Sequence, residues 1–396
     1  MRSVEDVGYR VSSRNHDVEI TGIGELERDE LPRLGDPVAA NAVAVRRAAA
    51  DAGIALDEID VLFTYDSLVS PHFMQATKVA EYLGIAPAYA TILSAGGATP
   101  QYAIALGAAL IRQGQARNVA FAHSDFRSRG SRSTETIARM ANVVGNPEFE
   151  APIGAILPTY YSMFASWLLD RSPLDRSDLA EVAVAARRWA LLNPNALMTS
   201  ELSAEDVLGA PLISGPLGRY DCCLITDFAG AFIVSPKLRD AGTGRGVAVA
   251  GVGAFVSHEE ITQMPADPLL PAVRTAERLF DDAGMGPEAL DIAYLYDSFT
   301  ISVVLQLIAY GFADAAGVQA LLAAGIGPGG SLPVNTHGGL LSATTGGVFH
   351  LIEAVRQLRG EAGRRQVIDA ATALVTGVGG LMSQHCAVIL QRGQDA

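Results

Sequence analysis

Residues 51–68, DAGIALDEIDVLFTYDSL, return without a gap 231 positions downstream as residues 282–299, DAGMGPEALDIAYLYDSF. The copies share Asp51/Asp282, Ala52/Ala283, Gly53/Gly284, Asp60/Asp291, Tyr65/Tyr296, Asp66/Asp297 and Ser67/Ser298, and most other pairs exchange one apolar residue for another. Identity and apolar pattern held together over such a span mark an internal duplication. Each half is therefore expected to build the same supersecondary unit, with function where the halves meet.

Each copy is preceded by a short apolar run containing glycine, Ile20-Thr-Gly-Ile-Gly24 and Val249-Ala-Gly-Val-Gly253, which reads as a buried strand. Between run and copy, residues 38–52 and 270–283 place apolar side chains at helical spacing, with Gly53 and Gly284 as stops. Each half then predicts another long helix, about residues 101–114 and 347–360, and an apolar strand at 117–122 or 371–378. Alternating strands and helices with continuous apolar strands predict an α/β fold, its sheets covered by helices on both faces. The boundary is expected at 1–243 and 244–396. The stretch from about 124 to 220 has no counterpart in the second half and reads as an insertion.

At 396 residues the chain is long enough for two ordinary cores. Charged residues make up 18% and hydrophobic ones 49%, which excludes a disordered chain. The three cysteines form no disulfide framework, no segment reads as a signal peptide, and no apolar run has the roughly 20 residues needed to cross a bilayer. The expectation is a soluble cytoplasmic protein. A net charge of -14 argues against nucleic acid as a partner. No spacing of His, Cys or carboxylate suggests a metal.

The insertion opens with SDFRSRGSRSTETIARM, where Arg127, Arg129, Arg132 and Arg139 stand out in an acidic chain. They read either as an anion site or as a loop with local ion pairs. Tyr160, Tyr161, Phe164 and Trp167 follow. They suit a lid over an apolar substrate or simple core packing.

Several ordered motifs remain: LNPNA, SGPLGRYDCCLITDFAGAFIV, the YDSF at 296–299, PVNTHGGLLS at 333–342 and the closing GVGGLMSQHCAVIL. With the duplication and the insertion, they make the chain resemble the thiolase superfamily, within it the sterol-carrier-protein-type thiolases and their lipid-transfer-protein-like relatives. The resemblance covers nearly the whole chain. It implies a thiolase fold of two duplicated βαβαβ-type halves in a five-layered α-β-α-β-α arrangement, an inserted loop domain, an active site at the junction and a homodimer.

Thiolase chemistry uses a cysteine thiolate to hold an acyl group. The segment that would carry it, Ser94-Ala-Gly-Gly-Ala-Thr-Pro100, has no cysteine. The Gly-His-Pro expected after Ser342 is replaced by Ala343-Thr-Thr-Gly-Gly347, and the second cysteine by Val378 in Gly377-Val-Gly-Gly380. Cys222, Cys223 and Cys386 read as small buried apolar residues. Gly96, Gly97, Gly379 and Gly380 remain able to present N–H groups to an oxyanion.

Cysteine-free relatives with this pattern are retro-aldolases of steroid side-chain breakdown. They cleave a β-hydroxyacyl-CoA into a ketone or aldehyde and a shorter acyl-CoA, with an OB-fold subunit of the DUF35 type. The resemblance implies Tyr296 as the base at the hydroxyl, a DUF35 partner giving a heterotetramer, and no cofactor beyond the coenzyme A of the substrate. It places Ser298, Asn335, Thr344 and Thr345 around the oxyanion and substrate. Those relatives carry a second tyrosine close to Thr344 and Thr345, where this chain has none. His337 is the nearest residue able to move a proton, or it only holds its glycine-flanked turn. Asp66 and Asp297 read as caps on backbone N–H groups, His123 as a satisfied buried histidine beside Ser124, and His72 and His350 as helix-face residues. An acyltransferase subunit and a non-catalytic acyl-CoA-binding scaffold are the competing functions.

Overall fold

The computed structural model describes residues 17–129, 146, 148–150, 152, 154–237 and 245–393. Arg132, Arg139 and the expected 243/244 boundary lie outside the described residues. The first half runs β1 (Val18–Glu25), α1 (Leu31–Leu34), α2 (Pro37–Ala52), β2 (Val61–Tyr65), α3 (Gln75–Leu83), β3 (Tyr89–Ile92), α4 (Thr99–Arg112) and β4 (Val119–Phe126). The insertion carries α5 (Leu157–Arg171), α6 (Arg176–Ala190), α7 (Ala204–Gly209) and a hairpin of β5 (Leu212–Ser214) and β6 (Leu217–Gly218), before β7 (Asp227–Pro236) closes the half. The second half runs β8 (Val247–Val256), α8 (Leu270–Ala283), β9 (Ile292–Tyr294), α9 (Thr300–Ala309), α10 (Val318–Ala324), α11 (Val348–Arg359), β10 (Thr372–Gly379) and β11 (Gln384–Arg392).

The strand order is β3-β2-β4-β7-β1-β8-β11-β10-β9, and it reads alike from both ends once repeat partners are matched. β2 runs parallel to β3 and β4, as β9 does to β10, and the remaining pairs are antiparallel. Val334, bridging Ala293 in parallel, stands where the first half has β3. The halves join edge to edge through Glu19–Ala248 and Ile20–Val247. Helices α4 and α11 each touch strands of both halves and form the central layer, while α2 and α3 cover one outer face and α8 and α9 the other. This is the five-layered arrangement that the resemblance implies.

The repeated identities explain the repeated fold. Asp51 accepts a hydrogen bond from the Ile23 N–H at 2.9 Å, and Asp282 one from Val252 at 2.9 Å. Asp60 takes the N–H groups of Arg117 and Asn118, and Asp291 those of Ala371 and Thr372. A hydrogen bond to a carboxylate contributes about 1.5–3 kcal/mol where it is shielded from water, and less at the more exposed Asp60 and Asp291. Gly24 and Gly253 let α2 and α8 ride directly on their strands: a side chain there would collide with the backbone of Ala44 and Ala48, or of Thr275 and Leu279.

The insertion is bound into the second half. Arg187 of α6 donates to Ser342 Oγ at 3.1 Å, Trp189 to the Ile326 carbonyl at 3.2 Å, and Tyr161 and Phe164 of α5 are part of the core around α9. Among the described residues, no helix is long and apolar enough to cross a membrane.

Candidate active site

The N-terminus of α4 and the turn between β10 and β11 meet at two glycine pairs. A side chain on Gly96 would lie 2.8 Å from Gly379 Cα and 3.4 Å from Gly380 N, so the halves touch backbone to backbone. Thr99 locks the first turn: its Oγ1 accepts from the Ala95 N–H at 2.9 Å and donates to the Gly96 carbonyl at 2.7 Å. Tyr296 then lays its ring on the bare Cα of Gly97, where any Cβ would overlap the phenol. Its backbone is clamped from β10 and α9: the N–H donates to Thr376 Oγ1 at 2.9 Å, and the carbonyl accepts from Gln306 Nε2 at 2.9 Å. The ring is thereby held over the helix start with its hydroxyl free of any described hydrogen bond. Burial pushes this phenol well above its ordinary value; Cys223 adds to the shift and the Arg127 guanidinium opposes it.

Arg127, Tyr161 and Cys223 lie near that phenol, with Ser298 beside Tyr161. Arg127, immediately after β4, is 13% exposed and donates from Nε to the fully buried Asp125 at 2.8 Å, with its guanidinium 5.4 Å from the Phe228 ring centre. Asp125 also accepts from Ser67 Oγ at 2.5 Å and from the N–H of Phe126. Tyr161 crosses from α5, 3% exposed, its ring stacked on Phe299 at 4.2 Å and its hydroxyl 3.5 Å from the Gly380 carbonyl. Ser298 Oγ is buried next to Tyr161. Cys223 lies near both Tyr161 and Tyr296, and its N–H donates to the Ser298 carbonyl at 2.9 Å. Burial pushes its thiol up to about 11, so it is not a thiolate at neutral pH.

The expected site residues thus divide. Gly96, Gly97, Gly379, Gly380, Tyr296 and Ser298 converge on the crevice. His337 and Thr344 line a neighbouring cavity of about 230 Å³ with Thr226, Phe228 and Phe349, which does not include Tyr296. The ring of His350 stands between, 5.0 Å from His337 and 6.2 Å from Tyr296. His337 is 4% exposed with both ring nitrogens unpaired, and burial holds it neutral, far below the usual imidazole range. Asn335 spends both ends of its amide on Leu295, and Thr345 hydrogen-bonds with Thr226 and the Leu224 carbonyl. Both positions shape the wall.

Three readings of single residues change, the first being His72, which lies in the loop before α3 and not on a helix face. His123 has no partner on either ring nitrogen; it packs against Tyr65 at 4.5 Å and Phe228 at 4.7 Å, and burial, aided by Arg127, lowers it to about 3. His350 is not a plain helix-face residue: its Nε2 meets Asp297 Oδ1 at 3.1 Å, fully buried. Asp297 accepts from the N–H groups of Leu340 and Leu341, and Asp66 from those of Ser67 and His72, the capping role read from the sequence. Arg127 and Tyr161 read from the sequence as an anion site or ion-paired loop and as a lid or core residue, whereas Cys223 and His350 carry no local motif that points to this crevice. Only the fold brings them there.

The family model described as Thiolase C-terminal domain-like matches residues 253–392. The 17-hydroxy-3-oxo-4-pregnene-20-carboxyl-CoA lyase of Mycobacterium tuberculosis is 32% identical over 338 residues, 81% of this chain and 86% of the relative. The chain belongs to the thiolase superfamily. An acetyl-CoA acetyltransferase of Methanothermobacter thermautotrophicus is 27% identical over 83% of this chain and 88% of its own length. Among solved structures, the Ltp2-ChsH2(DUF35) aldolase matches with a TM-score of 0.83 and 25% identity, covering 97% of this chain and 100% of the matched one. In this thiolase-fold chain, the crevice holds hydroxyls and backbone amides where an acyl-cysteine enzyme would need a thiolate.

Proposed function

We propose that this chain is a carbon-carbon lyase that cleaves a β-hydroxyacyl-CoA by retro-aldol chemistry, giving a ketone or aldehyde and a shorter acyl-CoA. The observation that carries the reading is the Tyr296 phenol fixed over Gly97 at the glycine turns, with no thiolate beside it. The lyase and aldolase names of the relatives support it. Retro-aldol cleavage needs a base at the carbinol and donors at the thioester oxygen as it becomes an enolate, but no covalent acyl-enzyme. The N–H groups at Gly96–Gly97 and Gly379–Gly380 supply the donors, aided by the N-terminus of α4. Tyr296 takes the carbinol proton as a phenolate, a minor form at neutral pH whose population rises tenfold per pH unit. Arg127, the cation beside it, raises that population.

His337 and Thr344, in the adjoining cavity, contact the far part of the acyl group. We further propose a homodimer joined to a DUF35-type OB-fold protein. The structural match to the Ltp2-ChsH2(DUF35) aldolase supports the latter. The free edge of β3, with Tyr89, Met74 and the 93% exposed Phe73 nearby, suits an interface.

The test is incubation with β-hydroxyacyl-CoA thioesters, following both products, for the wild type and Tyr296→Phe. Loss of cleavage with thioester binding retained is expected; unchanged turnover in the variant removes Tyr296 from the mechanism. The acetyltransferase relative favours a second reading, acyl transfer, which in this crevice would fall to Cys223. Acyl transfer abolished by Cys223→Ala, with no cleavage of β-hydroxyacyl-CoA, would replace the first reading with this one.

A further inference from the structure

We propose that Tyr161, carried by the insertion, is a second catalytic hydroxyl of the crevice and delivers the proton that the enolate takes up at its α-carbon after cleavage. The inference rests on the retro-aldol reading and assigns its closing step. The geometry is a continuous chain of contacts. The Tyr161 hydroxyl lies 3.5 Å from the Gly380 carbonyl, Gly380 abuts Gly96, and the next residue, Gly97, lies under the Tyr296 ring. Both phenols therefore border one pair of glycine turns, and in the proposed pose an enolate oxygen held by the amides of those turns places its α-carbon within reach of both.

Tyr161 is also aimed. Its ring is fixed by stacking on Phe299 at 4.2 Å and an interplanar angle of 23°, and packs against Phe164 at 5.7 Å. The neighbouring hydroxyl, Ser298 Oγ, is buried beside the Tyr161 phenol and opposes the upward shift of that phenol. Burial pushes the Tyr161 phenol up to about 12, so it is protonated at neutral pH, and an enolate carbon is far more basic than a phenolate. In the step, the carbinol O–H bond breaks and its proton passes to the Tyr296 phenolate as the carbonyl forms. The bond between the α- and β-carbons breaks and its electron pair enters the enolate. The Tyr161 O–H bond then breaks as a C–H bond forms at the α-carbon. Transfer of one proton from Tyr296 to Tyr161 across the crevice restores the starting state, and nothing is oxidised or reduced.

Exchange of the α-hydrogens of propionyl-CoA with D2O, followed by NMR, reads the Tyr161 step without requiring cleavage. The assay compares wild type, Tyr161→Phe and Tyr296→Phe, alongside cleavage of a β-hydroxyacyl-CoA. The Tyr161→Phe ring retains the Phe299 stack, so its thermal midpoint should stay near that of the wild type. The expected result is exchange lost by about 100-fold or more in Tyr161→Phe but kept within a few fold in Tyr296→Phe, with cleavage lost in both. Exchange in Tyr161→Phe equal to that of the wild type, or no exchange by the wild type, overturns the assignment. Tyr161-dependent exchange by a wild type that cleaves no β-hydroxyacyl-CoA upholds the Tyr161 step and overturns the cleavage reading instead.

Discussion

The pair most worth breaking is Arg127 with Asp125, because it ties the stability of the first half to the chemistry of the crevice. The two groups meet at 2.8 Å, with Asp125 fully buried and Arg127 13% exposed. Two unit charges about 4 Å apart at an effective dielectric of about 20 attract by about 4 kcal/mol. That gain roughly offsets the cost of desolvating both, so removing the pair together is expected to cost little, whereas removing one partner strands the other. Arg127→Met should lose about 3 kcal/mol, softened by the bonds Asp125 keeps to Ser67 and the Phe126 N–H. Asp125→Asn should lose a similar amount, and the double variant no more than either alone, a coupling of at least about 3 kcal/mol in a double-mutant cycle. Urea unfolding at pH 7 measures all four proteins. The double variant, folded but without the cation, also isolates the catalytic effect. A Tyr296 phenol one pKa unit higher has one-tenth of the phenolate, so kcat/KM for cleavage should fall at least about tenfold at fixed pH. Simple additivity of the two single losses refutes the buried pair, and an unchanged kcat/KM in the double variant refutes the cation's influence on Tyr296.

Gly97→Ala should leave the fold intact yet cut kcat/KM by about 100-fold, since a Cβ there displaces the Tyr296 ring; wild-type kinetics in a variant with an unchanged far-UV spectrum would refute the contact. With a phenolate base far from its pKa, the logarithm of kcat/KM for cleavage should rise with unit slope from pH 7 to 9, and a plateau in that range would show a different base. His123, lowered to about 3, and His385, lowered to about 4, are buried and neutral when folded but protonate below about pH 6.5 when unfolded. The unfolded chain then binds more protons, so their stabilisation is complete above about pH 6.5 and is lost as pH falls. Each removes about 1.4 kcal/mol per pH unit toward pH 4. Calorimetry on His123→Phe should show a shallower decline than the wild type, and an identical slope counts against a neutral His123.

Much of the frame was legible because its identities are backbone chemistry. Asp51, Asp60 and their copies accept strand N–H groups, and Gly53 and Gly284 end their helices at φ 69° and 65°. Those tasks recur at fixed spacing, so the sequence displays them twice. The crevice was only half legible. Tyr296 lies in the repeat and the glycines border the helix expected at 101–114 and the strand expected at 371–378, but Arg127 and Tyr161 belong to the insertion, and Cys223 lies between the insertion's last hairpin and β7. Their approach to Tyr296 depends on how α5 and the 221–226 stretch pack on the second half, which no local pattern encodes. His337 and Tyr296, joined by motif logic, are held apart by His350 because the 339–343 segment is anchored on Asp297.

The strand registers locate where the two copies part. Phe121 pairs with Phe63, and Val375 with Tyr294, the repeat partner of Phe63, so Val375 occupies the place of Phe121 and Gly379 that of Asp125. In the first copy Ser67 gives its hydroxyl proton to Asp125. In the second, the acceptor has become Gly379, and Ser298, with no carboxylate to take its hydroxyl, lies buried beside Tyr161. The same replacement clears space at the tip of β10, where Gly379 and Gly380 press against Ala95 and Gly96. One copy thus retains its carboxylate and adds a guanidinium, the other gives up side chains for amides, and their junction presents a cation, two phenols and backbone donors to one small volume. A carboxylate restored at Gly379 should close that volume: Gly379→Asp is expected to fold less stably, because its side chain meets the Ala95 carbonyl, and to lose cleavage altogether. Gly379→Ala tests the same wall with one methyl, and if it turned over at the wild-type rate the reacting atoms would have to lie elsewhere.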